Sequence, residues 1–150
     1  MSSPSPNRIT KIKNGLAYHL NGWNYISVRG SPRERGYAYG YLIADEFKEI
    51  QKMLEFTILN DYGEEWQFFI DAGKTVYKDN IKTHFKEYYD EMEGIADGLN
   101  AAGTKTSIDE IIAWNNYFAL TESWFSNRGS SDSGTKPAGH HGEGGGRRGG

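Results

Sequence analysis

Apolar positions along the chain fall into a short alternating stretch followed by several stretches of helical period. Leu16, Tyr18 and Leu20 lead into Asn21-Gly22, and Trp23, Tyr25, Ile26 and Val28 lead out. Asn-Gly between two β-prone runs predicts a β-hairpin over residues 15–30, because a type I′ turn needs positive φ at both central positions. Beyond it, Tyr39, Ile43, Phe47, Ile50, Leu54 and Ile58 recur every three or four residues, which predicts one helix from about Ser31 to Asp61. Gly63 is positioned to cap it. Trp66, Phe69, Ile70, Gly73 and Val76 or Tyr77 predict a second helix over about 64–77. Ile81, Phe85, Tyr88, Met92, Ile95, Ala96 and Leu99 predict a third, over about 81–100. A fourth helix or buried segment, carrying Ile108, Ile111, Ile112 and Phe118, is expected over about 107–118. The fold class is therefore α+β, helix-rich with an N-terminal hairpin, in one domain over residues 14–126.

Local punctuation sharpens two of these elements. Ser31 and Glu34 form an S-x-x-E capping box, with Pro32 at the first helical position, where its missing N–H costs nothing. Ser107 and Glu110 repeat the box before the fourth helix. Gly36 and Gly40 lie four apart on one helix face, as do Gly94 and Gly98. Each glycine costs roughly 1 kcal/mol of helix propensity relative to Ala. Such pairs imply a neighbouring element packed very close, or a backbone left open to a ligand. The likeness of the two pairs predicts two helices docked closely in one layer or on one sheet.

The flanks differ in composition. Residues 1–13, with Pro4 and Pro6, read as a disordered lead-in. Residues 127–150 are Gly- and Ser-rich and carry almost no large apolar side chain, so a flexible tail is expected. His140-His141 in that tail are adjacent and do not form a chelating pair. His19 and His84 read as ordinary strand and helix-surface side chains. No cofactor and no metal are expected.

The formal net charge of the 150 residues is −3, which argues against nucleic acid as a partner. No run reaches the ~18 apolar residues of a transmembrane segment. The N-terminus lacks the apolar core of a signal peptide, so a cytoplasmic location is expected. There is no Cys, no G-x-S-x-G, no H-E-x-x-H and no P-loop, hence no complete nucleophile or metal constellation. Trp114, Asn115 and Asn116 stand out, since amides beside apolar residues need hydrogen-bond partners if buried. They either satisfy backbone groups at the helix end or face a substrate pocket.

The string RGSPRERGYAYGYLIADEF resembles the G-x-P-x-E-x-G-x-x-x-G-x-L opening of the autoproteolytic acyltransferase/hydrolase family, which includes isopenicillin-N acyltransferase and, more distantly, the phospholipase B-like proteins. EMEGIADGLNAAGTKTSIDEIIAWNNYFALTE resembles that family's E-x-x-G-I-A-x-G segment and the N and E that follow it. The likeness covers about Gly22 to Glu122. It implies the N-terminal part of an αββα sandwich of the N-terminal-nucleophile (Ntn) hydrolase type. The nucleophile there is a Cys freed by self-cleavage, whose own α-amine, titrating at about 7.7–8.0, takes the thiol proton. Since this sequence has no Cys, the resemblance implies an α piece, with processing at Gly150 and the nucleophile opening a second (β) chain. Asn115 and Glu122 would then face a small acylated substrate, with Trp114, Tyr117 and Phe118 as apolar lining. Two other functions stay open at this point: a non-catalytic helical binding or scaffold module, and a lipid acyl hydrolase of the phospholipase B-like kind.

Overall fold

The computed structural model describes residues 9–128. Three antiparallel strands come first, β1 (Thr10–Ile12), β2 (Gly15–Leu20) and β3 (Trp23–Val28), in the order β1-β2-β3. Five helices follow: α1 (Pro32–Leu42), α2 (Ala44–Tyr62), α3 (Trp66–His84), α4 (Lys86–Ala101) and α5 (Ile108–Asn115). A π-helical segment, Ala119–Trp124, and a last turn, α6 (Phe125–Asn127), complete the described chain. The fold is α+β and helix-rich, as the pattern predicts.

The hairpin turn is the predicted one: Asn21 has φ 51° and Gly22 φ 79°. Strand β1 lies inside the stretch expected to be disordered. Its partner is β2, with Lys11 opposite Leu16. The Asn14 side chain holds the next connection, donating to the carbonyls of Arg29 (2.9 Å) and Glu34 (3.0 Å). At the other end of the fold α6 reaches Asn127, one residue into the expected tail. Residues 1–8 and 129–150, including His140, His141 and Gly150, lie outside the described residues.

Helix α1 starts as its capping box requires. Ser31 Oγ accepts from the Glu34 N–H, and the Ser31 N–H donates to Glu34 Oε2 at 2.9 Å. These bonds favour the ionised carboxylate, the backbone bond most, and hold Glu34 below its ordinary value of 4.5. A lowered folded-state value means stabilisation that is complete above the unfolded value and disappears as pH falls through the folded one. Wild type should therefore melt above Glu34→Gln at about pH 7, and the gap should close as pH falls through the lowered folded-state value. A gap unchanged on acidification would show that the carboxylate charge plays no part in the cap.

The expected single helix over 31–61 is two helices broken at Ile43, where φ is −101° and ψ is 11°. The two halves bury different faces against different partners. In α1 the buried positions are Gly36, Ala38 and Gly40; in α2 they are Ala44, Phe47, Leu54 and Ile58. Tyr39, assigned to the apolar stripe, is exposed. The boundary between the next two helices also moves. α3 runs on to His84, so Ile81 belongs to it, and the break falls at Phe85. That resets the helical phase: Tyr89 is buried at 6% exposure, whereas Tyr88, expected in the core, is 68% exposed. Phe118, also expected in the core, is 72% exposed.

The core has two parts joined by α5. One gathers Phe47, Tyr89, Met92, Leu99, Ile111 and Ile112; the other gathers Leu54, Ile58, Trp66, Phe69, Ala113 and Leu120. Ile111, Ile112 and Ala113 are successive and all buried, which places α5 at the centre. Trp114 packs against both parts.

Candidate functional site

The four helical glycines form one seam. A Cβ built on Gly36 would overlap the backbone carbonyl oxygen of Glu91, and one on Gly40 that of Ile95. Reciprocally, Gly94 lies on the Arg33 carbonyl and Gly98 on the Tyr37 carbonyl. Gly36 over Glu91 and Gly40 over Ile95 mean that α1 and α4 run in the same direction, backbone on backbone. The spacing therefore produces helix-on-helix contact, and the glycine faces are closed to a ligand. Ion pairs flank the seam: Arg33 bridges Glu93 (2.7 Å) and Asp97 (2.6 Å), and Arg35 meets Glu91 at 2.8 Å. The hydrogen bond to Asp97, then the charges of Asp97 and Glu93, raise Arg33 above its ordinary value. Solvent screens exposed pairs of this kind, so they fix register more than they add stability.

The residues carried over from the resemblance do not form one pocket. Trp114 and Tyr117 have ring centroids 6.1 Å apart, and Tyr117 reaches Phe118 at 5.5 Å and Trp66 at 6.4 Å. Burial, then the neighbouring Tyr62, Asp61 and Glu122, push the Tyr117 phenol up. Asn115 lies elsewhere, on a cavity of about 340 Å³ whose wall is mostly Ile81, Phe85, Tyr88, Met92 and Ile95. Its Nδ2 donates to the Ile111 carbonyl at 2.9 Å, and Asn116 Nδ2 donates to the Ile112 carbonyl at 2.8 Å. Both amides thus satisfy carbonyls four residues back at the helix end, and both also border this cavity. Glu122 is exposed on the π-helical segment, where Thr121 Oγ1 donates to the Tyr117 carbonyl at 2.8 Å. Among the described residues no cluster of His, Cys, Asp and Glu is placed to hold a metal ion. His19, without an acidic neighbour in sequence, has one in space: its Nε2 is 3.5 Å from Glu46 Oε1.

The sheet offers a different kind of site. Cross-strand partners share a face, and the register places Gly15 with Val28, Ala17 with Ile26, and His19 with Asn24 on one side. That side is covered by helices: a Gly15 Cβ would lie 3.2 Å from Leu42 Cδ1, and Asn24 Nδ2 is 3.4 Å from Glu46 Oε1. The other side of β2 and β3 carries Leu16, Tyr18, Leu20, Trp23, Tyr25 and Ser27, none of them charged. Tyr18 and Tyr25 stack at 5.0 Å. Trp23 is 71% exposed and Leu20 and Tyr25 are exposed beside it, while Leu16 and Tyr18 are half-buried; Lys11 of β1, opposite Leu16, lies on the same side. One-sided sheets alternate apolar and polar residues, whereas sheets buried on both sides are apolar on both. In this hairpin the side away from the helices is apolar apart from Ser27, which departs from the one-sided pattern.

The second capping box is only half made, and its missing half is informative. Ser107 Oγ accepts from the Glu110 N–H at 3.2 Å, but the Glu110 carboxylate is turned away from the cap. It accepts from Trp66 Nε1 at 3.1 Å, Gln51 Nε2 at 3.0 Å and Thr106 Oγ1 at 2.6 Å. Sequence reading sees only the local partner of Glu110, because the others come from α2, α3 and the loop before α5. An acidic residue on an otherwise apolar helix face (Glu110 beside Ile111 and Ile112) is the signal that was available.

No family model matches the chain. An uncharacterized protein of Archaeoglobus fulgidus is 33% identical over 98 residues, which is 63% of this chain and 16% of that protein. The chain thus spans about a sixth of the length of the relative it matches. No helix among the described residues is long and apolar enough to cross a membrane.

Proposed function

We propose that this chain is the α piece of a self-cleaving Ntn hydrolase or acyltransferase, acting on acyl-amide or thioester substrates through the N-terminal Cys of a second chain. One observation carries the reading: a β-sheet covered by helices on one face, whose strands β2 and β3 present a mainly apolar and partly exposed surface on the other, with Lys11 of the edge strand beside Leu16. That is one α layer on one β layer, the complement required by a second β layer packed about 10 Å away. The glycine seam supports the same reading, since the two strings that resemble the family form a single docked helix pair.

In this reading the chain supplies scaffold and part of the acyl pocket. The Cys thiolate of the second chain attacks the acyl carbonyl carbon, and the thiol proton passes to its own α-amine. The tetrahedral oxyanion collapses to a thioester as the amine leaves with that proton. Water or a second amine then takes the acyl group and restores the thiol. The exposed apolar surface favours this over a self-sufficient binding module, whose sheet face would be polar.

The complete product of the gene tests it. Intact mass should show two chains, the second beginning with Cys, and a panel of acyl amides should be cleaved. Replacing that Cys by Ala should leave one uncut, inactive chain. A complete product that stays whole and turns over no acyl substrate would rule the enzyme out. Turnover of phospholipids in place of amides would assign it to the phospholipase B-like branch.

A further inference from the structure

A cavity of about 600 Å³ opens between α2, the start of α3 and the loop before α5, away from the glycine seam and the exposed sheet face. Glu110 lines it and is only 8% exposed. All three of its hydrogen-bond donors are neutral groups. No Lys, Arg or His among the described residues forms an ion pair with it. Buried carboxylates ordinarily have a cationic partner, because the charge is costly to remove from water. Here that partner is missing, and the carboxylate borders an open space.

The remaining polar lining has the same bias. Both hydrogens of Gln51 Nε2 are donated, one to Glu110 Oε2 and one to the Lys105 carbonyl, which leaves only its Oε1 acceptor. Glu55 and Glu65 are exposed at the mouth. Lys105, also exposed at the rim, is the one cationic side chain of the lining and pairs with no carboxylate among the described residues. Gln67, Thr106 and Ser107 complete the polar lining, with Thr106 Oγ1 donating to Glu110 and Gln67 Nε2 to Asp71; the apolar wall is formed by Leu59, Ile70 and Trp66. Acceptors, an unmatched negative charge and an aromatic-aliphatic wall select a ligand that donates hydrogen bonds, is positive and has an apolar body. We infer that this cavity binds a small organic cation, a primary ammonium carried on a compact apolar group. The inference does not depend on the acyl-transfer reading.

Phenethylammonium is a suitable probe, with 2-phenylethanol as its neutral counterpart, added to the full ¹⁵N-labelled chain. The Trp66 indole N–H resonance reports binding, since that group touches Glu110. The ammonium should shift it saturably, at least roughly tenfold more tightly than the alcohol, and Glu110→Gln should erase that preference. Because Glu110 also ties three elements together, the exposed double variant Glu55→Gln/Glu65→Gln provides a second arm that leaves the fold intact. It should weaken the ammonium roughly threefold or more and leave the alcohol unchanged. Equal binding of ammonium and alcohol, or no saturable shift up to roughly 10 mM, would overturn the assignment.

Discussion

Gly98→Ala should strongly destabilise this protein, although alanine is the better helix former. The substitution recovers about 1 kcal/mol of helix propensity. Against that, the new methyl group would occupy the position of the Tyr37 carbonyl oxygen and lie 2.8 Å from the Tyr41 nitrogen. Both obstacles are backbone, so no side chain can rotate away. The relief available is separation of α1 from α4, which also loosens the contacts at Gly36, Gly40 and Gly94. Overpacking in cores that can partly adjust costs about 1–3 kcal/mol. Here the cost should exceed that range, with a net loss of about 3 kcal/mol or more. Total stability of a domain this size is of order 5–15 kcal/mol. The pair Gly36→Ala/Gly98→Ala should melt below either single variant, though by less than the sum of the two losses, because one separation of α1 from α4 relieves both clashes. Urea melts followed by circular dichroism decide it; single variants within about 0.5 kcal/mol of wild type would mean that the helices are not in backbone contact.

Phe69→Ala should cost about 4 kcal/mol, in the middle of the range for buried aromatic truncations. Phe69 is fully buried. Its ring meets Tyr62 edge-on at 5.5 Å, Phe68 at 5.3 Å and Trp124 at 6.5 Å, and is tilted on Phe125 at 5.5 Å. These neighbours belong to α2, α3, the π-helical segment and α6, so one ring fastens the last described stretch to the bundle. The loss should have a regional signature besides its magnitude. Trp124 fluorescence should shift to the red at a lower urea concentration than the helical signal is lost. Coincident transitions would mean that the last stretch is not a separable unit.

The parts of the fold that were legible in the sequence are those fixed by near neighbours. The Asn21-Gly22 turn and the Ser31–Glu34 cap each depend on residues within three positions, and both occur as expected. The glycine pairs announced a close approach, though not which helix would make it. The break at Ile43 escaped notice because the apolar stripe continues through it. Only the tertiary demand that α1 face α4 while α2 faces α3 and α5 creates the bend. Tyr88 and Tyr89 exchanged places for the same kind of reason, since a break three residues upstream rotates the helix face. Strand β1 is three residues long and mostly polar, and it exists through pairing with β2. The partners of Glu110 could not be named from sequence because two of the three lie 44 and 59 residues away, although the acidic residue on an apolar face was visible. The exposed sheet face was present in the alternation itself, where Tyr18, Trp23 and Tyr25 fall on one side and Ala17, Ile26 and Val28 on the other.

The parallel α1–α4 pair has a consequence for how the chain reaches its fold. Parallel neighbours cannot be joined by a short turn, and here α2 and α3 form the whole connection. The most intimate contact in the molecule is therefore among the most distant in sequence. Closing so long a loop costs entropy before any contact offsets it. Hairpin and individual helices should form early, and the seam last. Substitutions at its glycines should then mainly accelerate unfolding and leave the refolding rate nearly unchanged. The seam acts as the latch that closes on an otherwise assembled bundle.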